Sequence, residues 1–220
     1  IQIETDGSFI TATKSLTLLT FGSWQTKSSK NFTNKMKNIL EGTRIYLVGA
    51  IESCEDAGEG WREMVSKELE KMGVTVFNPL KKPFQDNIEN DMDEGLSFQD
   101  QMKRHRENGE WDELSQKMRK IRIYDLKLVD ISDAIFVYID ENFKTCGSWE
   151  EVFVANSMKK PIFFVYKQGK KSIPTWIYGT LPHQYMHESL DDALKMLKGI
   201  DEGSVKIDSD RWKLLRKEYR

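Results

Sequence analysis

The chain has 220 residues, with 33 Lys and Arg against 35 Asp and Glu and a formal net charge of −2. That length suits one domain of ordinary size with extensions, and the near-cancelling charge gives no global field to draw the chain to a nucleic-acid polymer or an anionic membrane. Its only cysteines, Cys54 and Cys146, form no CxxC, which argues against a disulfide framework or cysteine-rich zinc site and for a reducing, cytoplasmic setting.

The opening stretch is Ser/Thr-rich, without clear period and without the regions of a secretory signal. Residues 1–40 are read as an extension, flexible or loosely attached and not necessarily native; "SLTLLTF" is a short apolar run without an evident partner, and Met36 stands where a natural start would fit. From Arg44 the pattern becomes regular. "RIYLVGA" predicts a buried strand ending at Gly49. In "GEGWREMVSKELEKMG" the residues Trp61, Val65, Leu69 and Met72 recur at helical steps, and Gly73 supplies the stop. "VTVFNPL" is the next strand, closed by Asn-Pro.

Residues 81–112 are highly charged and read as a lid or insertion carrying one polar helix. Beyond them "ELSQKMRKIRIYDLKLVDIS" predicts a long helix, "DAIFVYID" a strand, "SWEEVFVANSMKK" a helix and "PIFFVYK" a strand. "SLDDALKMLKGI" closes the domain as an amphipathic helix with Ser189 as N-cap, and residues 201–220 form a basic helical tail. Apolar strands alternating with helices predict an α/β fold over 41–200: a flavodoxin-like or Rossmann-like, doubly wound, parallel five-stranded sheet with helices on both faces. No run of apolar residues is long enough for a membrane-spanning helix.

Ligands of such sheets bind at the carboxyl ends of the strands, which brings forward the loops after Gly49, Asp140 and Tyr166. No GxGxxG follows the first strand and no GxxxxGK[ST] exists, so NAD and ATP binding of the usual kinds are disfavoured and no cofactor is expected. His183 and His187 sit four apart, but Pro182 precedes them and "QYM" reads extended, so no metal site is expected.

Two carboxylates draw attention. Asp125 shares a helix face with Met118, Ile121 and Leu128, where an apolar residue would be expected; pairing with Arg119 or Arg122 is the plain explanation. Ser148 followed by Glu151 is a capping-box spacing, which makes Glu151 a helix cap and Glu150 an exposed acid. Yet that helix begins at the carboxyl end of a buried strand, and two carboxylates in one crevice are the constellation of glycosyl chemistry.

The segments "RIYLVGAIE", "DLKLVDISDAIFVYID" and "TCGSWEEVFVANSMKKPIFFV" together resemble the nucleoside 2-deoxyribosyltransferase family, including its relatives that hydrolyse deoxynucleoside monophosphates. The resemblance covers about residues 44–195, matches least over 81–112, and keeps the twenty-six positions between Asp125 and Glu151. It implies Glu151 as the nucleophile at C1′ of the sugar, Asp125 as the acid assisting departure of the base, and Tyr46 as the hydroxyl that orients the nucleophile. It further implies that Gly49 and Ala50 line the sugar and phosphate side, that Gly147 and Ser148 offer backbone N–H groups, and that the pocket is built in a homodimer or larger assembly. The partner so implied is a small-molecule nucleoside or nucleotide.

Two positions depart from the transferases and hydrolases of that family. Thr145 stands where transferases carry an Asp that binds the 5′-hydroxyl; a hydroxyl there suits a 5′-monophosphate, as in the hydrolases. Glu52 stands where those hydrolases carry an Arg, which pulls the other way. Trp176 and Tyr178 are either base-stacking or packing residues. Two alternatives stay open: a non-catalytic nucleotide-sensing module, and a cytokinin-type monophosphate phosphoribohydrolase, whose PGGxGT run "KTCGSW" lacks.

Overall fold

A computed structural model describes residues 38–52, 54, 56–81 and 98–205; the apolar run near the start and the basic tail lie outside these residues. Five strands alternate with helices: β1 (Arg44–Gly49), α1 (Glu59–Lys71), β2 (Thr75–Phe77), α2 (Phe98–Asn108), α3 (Trp111–Ile131), β3 (Ala134–Ile139), α4 (Cys146–Ser157), β4 (Ile162–Tyr166), α5 (Thr175–Tyr178), β5 (Met186–His187) and α6 (Leu190–Asp201). All pair in parallel in the order β2-β1-β3-β4-β5, the flavodoxin-like order. The doubly wound sheet expected from the sequence is therefore present.

The strands are apolar on both sides because both faces are covered. Ile45 and Leu47 of β1 pack with Val65 and Leu69 of α1 and Ala193 and Leu197 of α6. The alternate residues Tyr46 and Val48 face Leu128 and Val129 of α3 and Val152 and Ala155 of α4. Leu40, ahead of β1, is also core, and its N–H donates to the buried Asp201 carboxylate at 2.9 Å. Ser189 caps α6 as expected, accepting from the Asp192 N–H at 3.1 Å.

Three features differ from the sequence reading. Met118 is 40% exposed, because the first half of α3 carries no buried residue and reaches the core only near Leu128. The helix after β3 starts at Cys146, two residues before Ser148. His183–Tyr185 form a 3-10 turn rather than an extended stretch; His187, on the two-residue strand β5, is buried while His183 is exposed.

Strand order reverses between β1 and β3, because the chain runs from β1 outward to β2 and then returns across the sheet. The loops 50–58 and 140–145 leave the carboxyl ends of these two strands and flank that switch point. Lys160 secures the far end of α3. Its ammonium donates to the carbonyls of Val129, Asp130 and Ser132 at 2.8, 2.6 and 2.5 Å, supplying partners that the last helical turn lacks. Lys160→Met keeps the apolar stem and removes all three donors. Urea unfolding should show a loss of about 1–3 kcal/mol; an unchanged midpoint would mean that water serves these carbonyls equally well.

Candidate active site

The side of β1 that faces α3 and α4 carries Tyr46, which is 1% exposed. An aromatic ring fits this slot between Leu128, Ile135 and Val152, but its hydroxyl needs a partner there. The partner is Glu151: the Tyr46 hydroxyl donates to Glu151 Oε1 at 2.7 Å. The buried positions of α4 are Ser148, Glu151, Val152 and Ala155, one stripe at helical spacing, so Glu151 occupies a core-facing position and is 7% exposed. Glu151 thus does not close a capping box. The helix begins earlier than the capping-box spacing requires, Thr145 is the N-cap without a side-chain bond, and Ser148 lies inside the first turn.

Burial sets the electrostatics. Desolvation pushes the Glu151 carboxyl up to about 8; the Tyr46 hydrogen bond and the Arg62 cation oppose that rise, while the charges of Asp125 and Glu150 add to it. The Tyr46 phenol is raised well above its usual range by desolvation and then by the charges of Glu151 and Asp125. Asp125, half-buried on α3, is therefore near enough to act on both groups. Of the two arginines named as partners of Asp125, Arg122 holds Glu150 in a two-pronged bond, Nε to Oε2 at 2.8 Å and Nη2 to Oε1. Glu150 is consequently half-buried and paired, rather than simply exposed.

The remaining sequence candidates lie at the carboxyl edge. Gly49 ends β1, where a Cβ would come within 2.7 Å of the Tyr138 carbonyl and 2.8 Å of the Trp61 ring. Ala50 is 8% exposed, and the carbonyls of both residues are turned to Arg62 rather than to the crevice. Thr145 and Ser148 are buried, whereas Gly147 is exposed with open space around it. These three residues and Glu151 share the start of one helix, whose first N–H groups have no intrahelical acceptor. Glu52 points outward and pairs with Arg106 of α2 at 3.0 Å. Trp176 is 79% exposed, and Tyr178 donates to the Lys170 carbonyl at 2.6 Å.

Two groups escaped the sequence reading. Arg62 is fully buried, and its signal was the spacing Arg62–Val65–Leu69, which sets it on the buried stripe of α1. Asp140, after β3, is buried and accepts from Lys167 Nζ and Gln168 Nε2, both at 2.6 Å. No spacing along the chain links it to two residues beyond β4.

A carboxyl raised in the folded state binds a proton there that the unfolded chain releases at ordinary acidity. Between about 4.5, its unfolded value, and about 8 the folded state holds more protons, so this group's contribution lowers stability as pH rises. Glu151→Gln keeps the acceptor for Tyr46 and removes the titration. The variant should be more stable than the parent by on the order of 2 kcal/mol at pH 9, with the gain vanishing near pH 4.5. Thermal unfolding across that range measures this; a gain independent of pH would contradict the buried carboxyl.

No protein-family model matches the chain, and no curated protein matches it. Among solved structures, a 2-deoxyribosyltransferase from the psychrotolerant bacterium Bacillus psychrosaccharolyticus is similar with a TM-score of 0.47 at 18% identity, over 70% of this chain and 96% of that one. A likeness of this degree says nothing by itself about the chemistry of the crevice.

Proposed function

We propose that this chain cleaves the N-glycosidic bond of a 2′-deoxynucleoside or its 5′-monophosphate by double displacement through Glu151. The observation that carries this reading is the 2.7 Å hydrogen bond from Tyr46 to a buried Glu151 beside the switch point of the sheet. Burying a carboxyl beside a second acid costs stability, and an apolar pair would fill the same space more favourably. Such a cost is characteristic of reacting groups. A module that only sensed a nucleotide would have no use for Asp125, Glu151 and Tyr46 together.

The residue roles follow from the family resemblance and suit this geometry. A carboxylate oxygen of Glu151 bonds to C1′ as the C1′–N bond breaks. The electron pair leaves with the base nitrogen, which takes a proton from solvent with the Asp125 carboxylate guiding the transfer. In the second step water or a nitrogen of another base bonds to C1′, the glycosyl ester to Glu151 breaks, and the incoming group's proton passes to solvent past Asp125. The transition state has oxocarbenium character, which a nearby negative charge stabilises. Gly49 and Ala50 would line the sugar side, and Thr145, Gly147 and Ser148 would present a hydroxyl and helix N–H groups to the 5′ end. Glu52 pairs with Arg106, which would lessen its repulsion of a phosphate. In the resembling family a second copy completes the pocket, and the same assembly is proposed here.

Two experiments test the reading. Purified protein is incubated with each deoxynucleoside and deoxynucleoside monophosphate, with and without a second free base, beside Glu151→Ala, and products are separated by chromatography. Free base from a monophosphate, lost in the variant, identifies a nucleotide hydrolase, and a new nucleoside formed only with a second base identifies a transferase. Cleavage that survives Glu151→Ala would sink the proposal. Because the nucleophile must be ionised, kcat/KM should fall about tenfold per pH unit below about 8. Tyr46→Phe removes a bond that favours the carboxylate, so its acid limb should move to higher pH, with kcat/KM at neutral pH reduced about ten- to a hundredfold. A Tyr46→Phe profile superposable on the parent's would contradict the role given to the phenol.

A further inference from the structure

Among the described residues the largest fully buried side chain is a cation, Arg62, rather than an apolar group. Its guanidinium lies over the Trp61 ring, 4.6 Å from the centroid. It donates to four backbone carbonyls: Nη2 to Gly49 at 2.8 Å, and Nη1 to Ala50, Ala57 and Gly58 at 3.3, 2.9 and 3.1 Å. These carbonyls mark the start and the end of the turn that leaves β1. The backbone is shaped around the group, since Gly58 has φ +73° and a Cβ there would come within 2.4 Å of Nη1. Ala57 also takes a positive φ, of 50°, which costs a residue with a Cβ.

We propose that Arg62 is the positioning residue of the crevice: its guanidinium ties the carbonyls of Gly49 and Ala50 to those of Ala57 and Gly58 and anchors a cation to the end of the strand that carries Tyr46. The inference rests on the glycosyl-transfer reading of that pair and adds a residue that the family resemblance does not assign. A planar fork with several donors can serve carbonyls from both ends of a turn at once, which the point charge of a lysine cannot do. The four described bonds go to neutral carbonyls, so the charge of Arg62 is not cancelled within its own cage. It acts instead on Tyr46, Glu151, Cys54 and Asp56. Burial lowers Arg62 to about 10, which leaves it charged at neutral pH. Around Glu151 the other participants are Tyr46, Asp125 and Glu150, and Arg62 is the cation that favours the ionised form. One side chain thereby couples the shape of the β1 turn to the charge of the carboxyl.

The test uses the full chain with 13C-labelled glutamate, the Glu151 carboxyl signal being assigned by its loss in Glu151→Gln. Arg62→Met keeps the apolar stem and removes both functions. The Glu151 titration midpoint should rise by about one pH unit, and exchange of the Cys54, Ala57 and Gly58 amides should quicken at least about tenfold. Arg62→Lys restores the charge but not the fork, so the midpoint should return toward the parent's while the turn stays loosened. A folded Arg62→Met with an unmoved midpoint overturns the electrostatic half of the proposal. Should Arg62→Met fail to fold, Arg62→Lys decides: a loosened turn with a near-parental midpoint supports the proposal, and parental protection of the Cys54, Ala57 and Gly58 amides overturns it. Neither readout involves a nucleoside, so a chain inactive on every nucleoside would refute the glycosyl reading and leave the Arg62 result to be judged separately.

Discussion

A carboxyl buried against a phenol is the constraint around which the crevice is organised. Glu151 occupies a core position of α4, where an apolar side chain would contribute about 1.5–3 kcal/mol through burial. Instead the position carries a group that burial pushes toward its neutral form. What keeps it usable is the Tyr46 hydroxyl at 2.7 Å, with the charge of Arg62 acting in the same direction. The sheet makes this possible, because β1 lies at the switch point and offers one face to α4 and the other to α1.

The neighbours of this pair show how charges are kept apart. Arg122, which could have neutralised Asp125, is committed to Glu150, and Glu52 is committed to Arg106. Lys167 is committed to Asp140. In each pair at least one partner is exposed, so each is worth little for stability. Asp125 acts on Glu151 and Tyr46 through its charge. A glycosyl transfer needs that asymmetry, with one carboxylate attacking while a second acid manages the proton.

The first four strands were legible in the sequence because each is a short apolar run, whereas β5 was not, since its two residues, Met186 and His187, carry no period; the order of elements determines a parallel sheet covered on both faces. Ser189 was legible as a cap because its signal is local. Glu151 was misread by the same local logic: Ser148 and Glu151 have capping-box spacing, but where α4 begins depends on the turn 140–145, which no spacing encodes. The first half of α3 misled for a related reason, since Met118 keeps helical phase with Leu128 yet stands beyond the edge of the core. Arg62 lay in view at the stripe position of Arg62–Val65–Leu69, but a charged residue there reads as a snorkelling side chain until the glycines at 49 and 58 are seen to enclose it.

The central claim is that Glu151 becomes covalently bonded to the sugar. The most direct measurement is intact and peptide mass spectrometry after incubation with a 2′-fluorinated arabinosyl nucleoside, whose fluorine slows breakdown of a glycosyl ester. The account predicts a mass increase equal to the fluorinated sugar, located on Glu151, absent from Glu151→Gln and chased away by an added acceptor base. A cleaved nucleoside with no adduct on Glu151, or with an adduct on another residue, would contradict it.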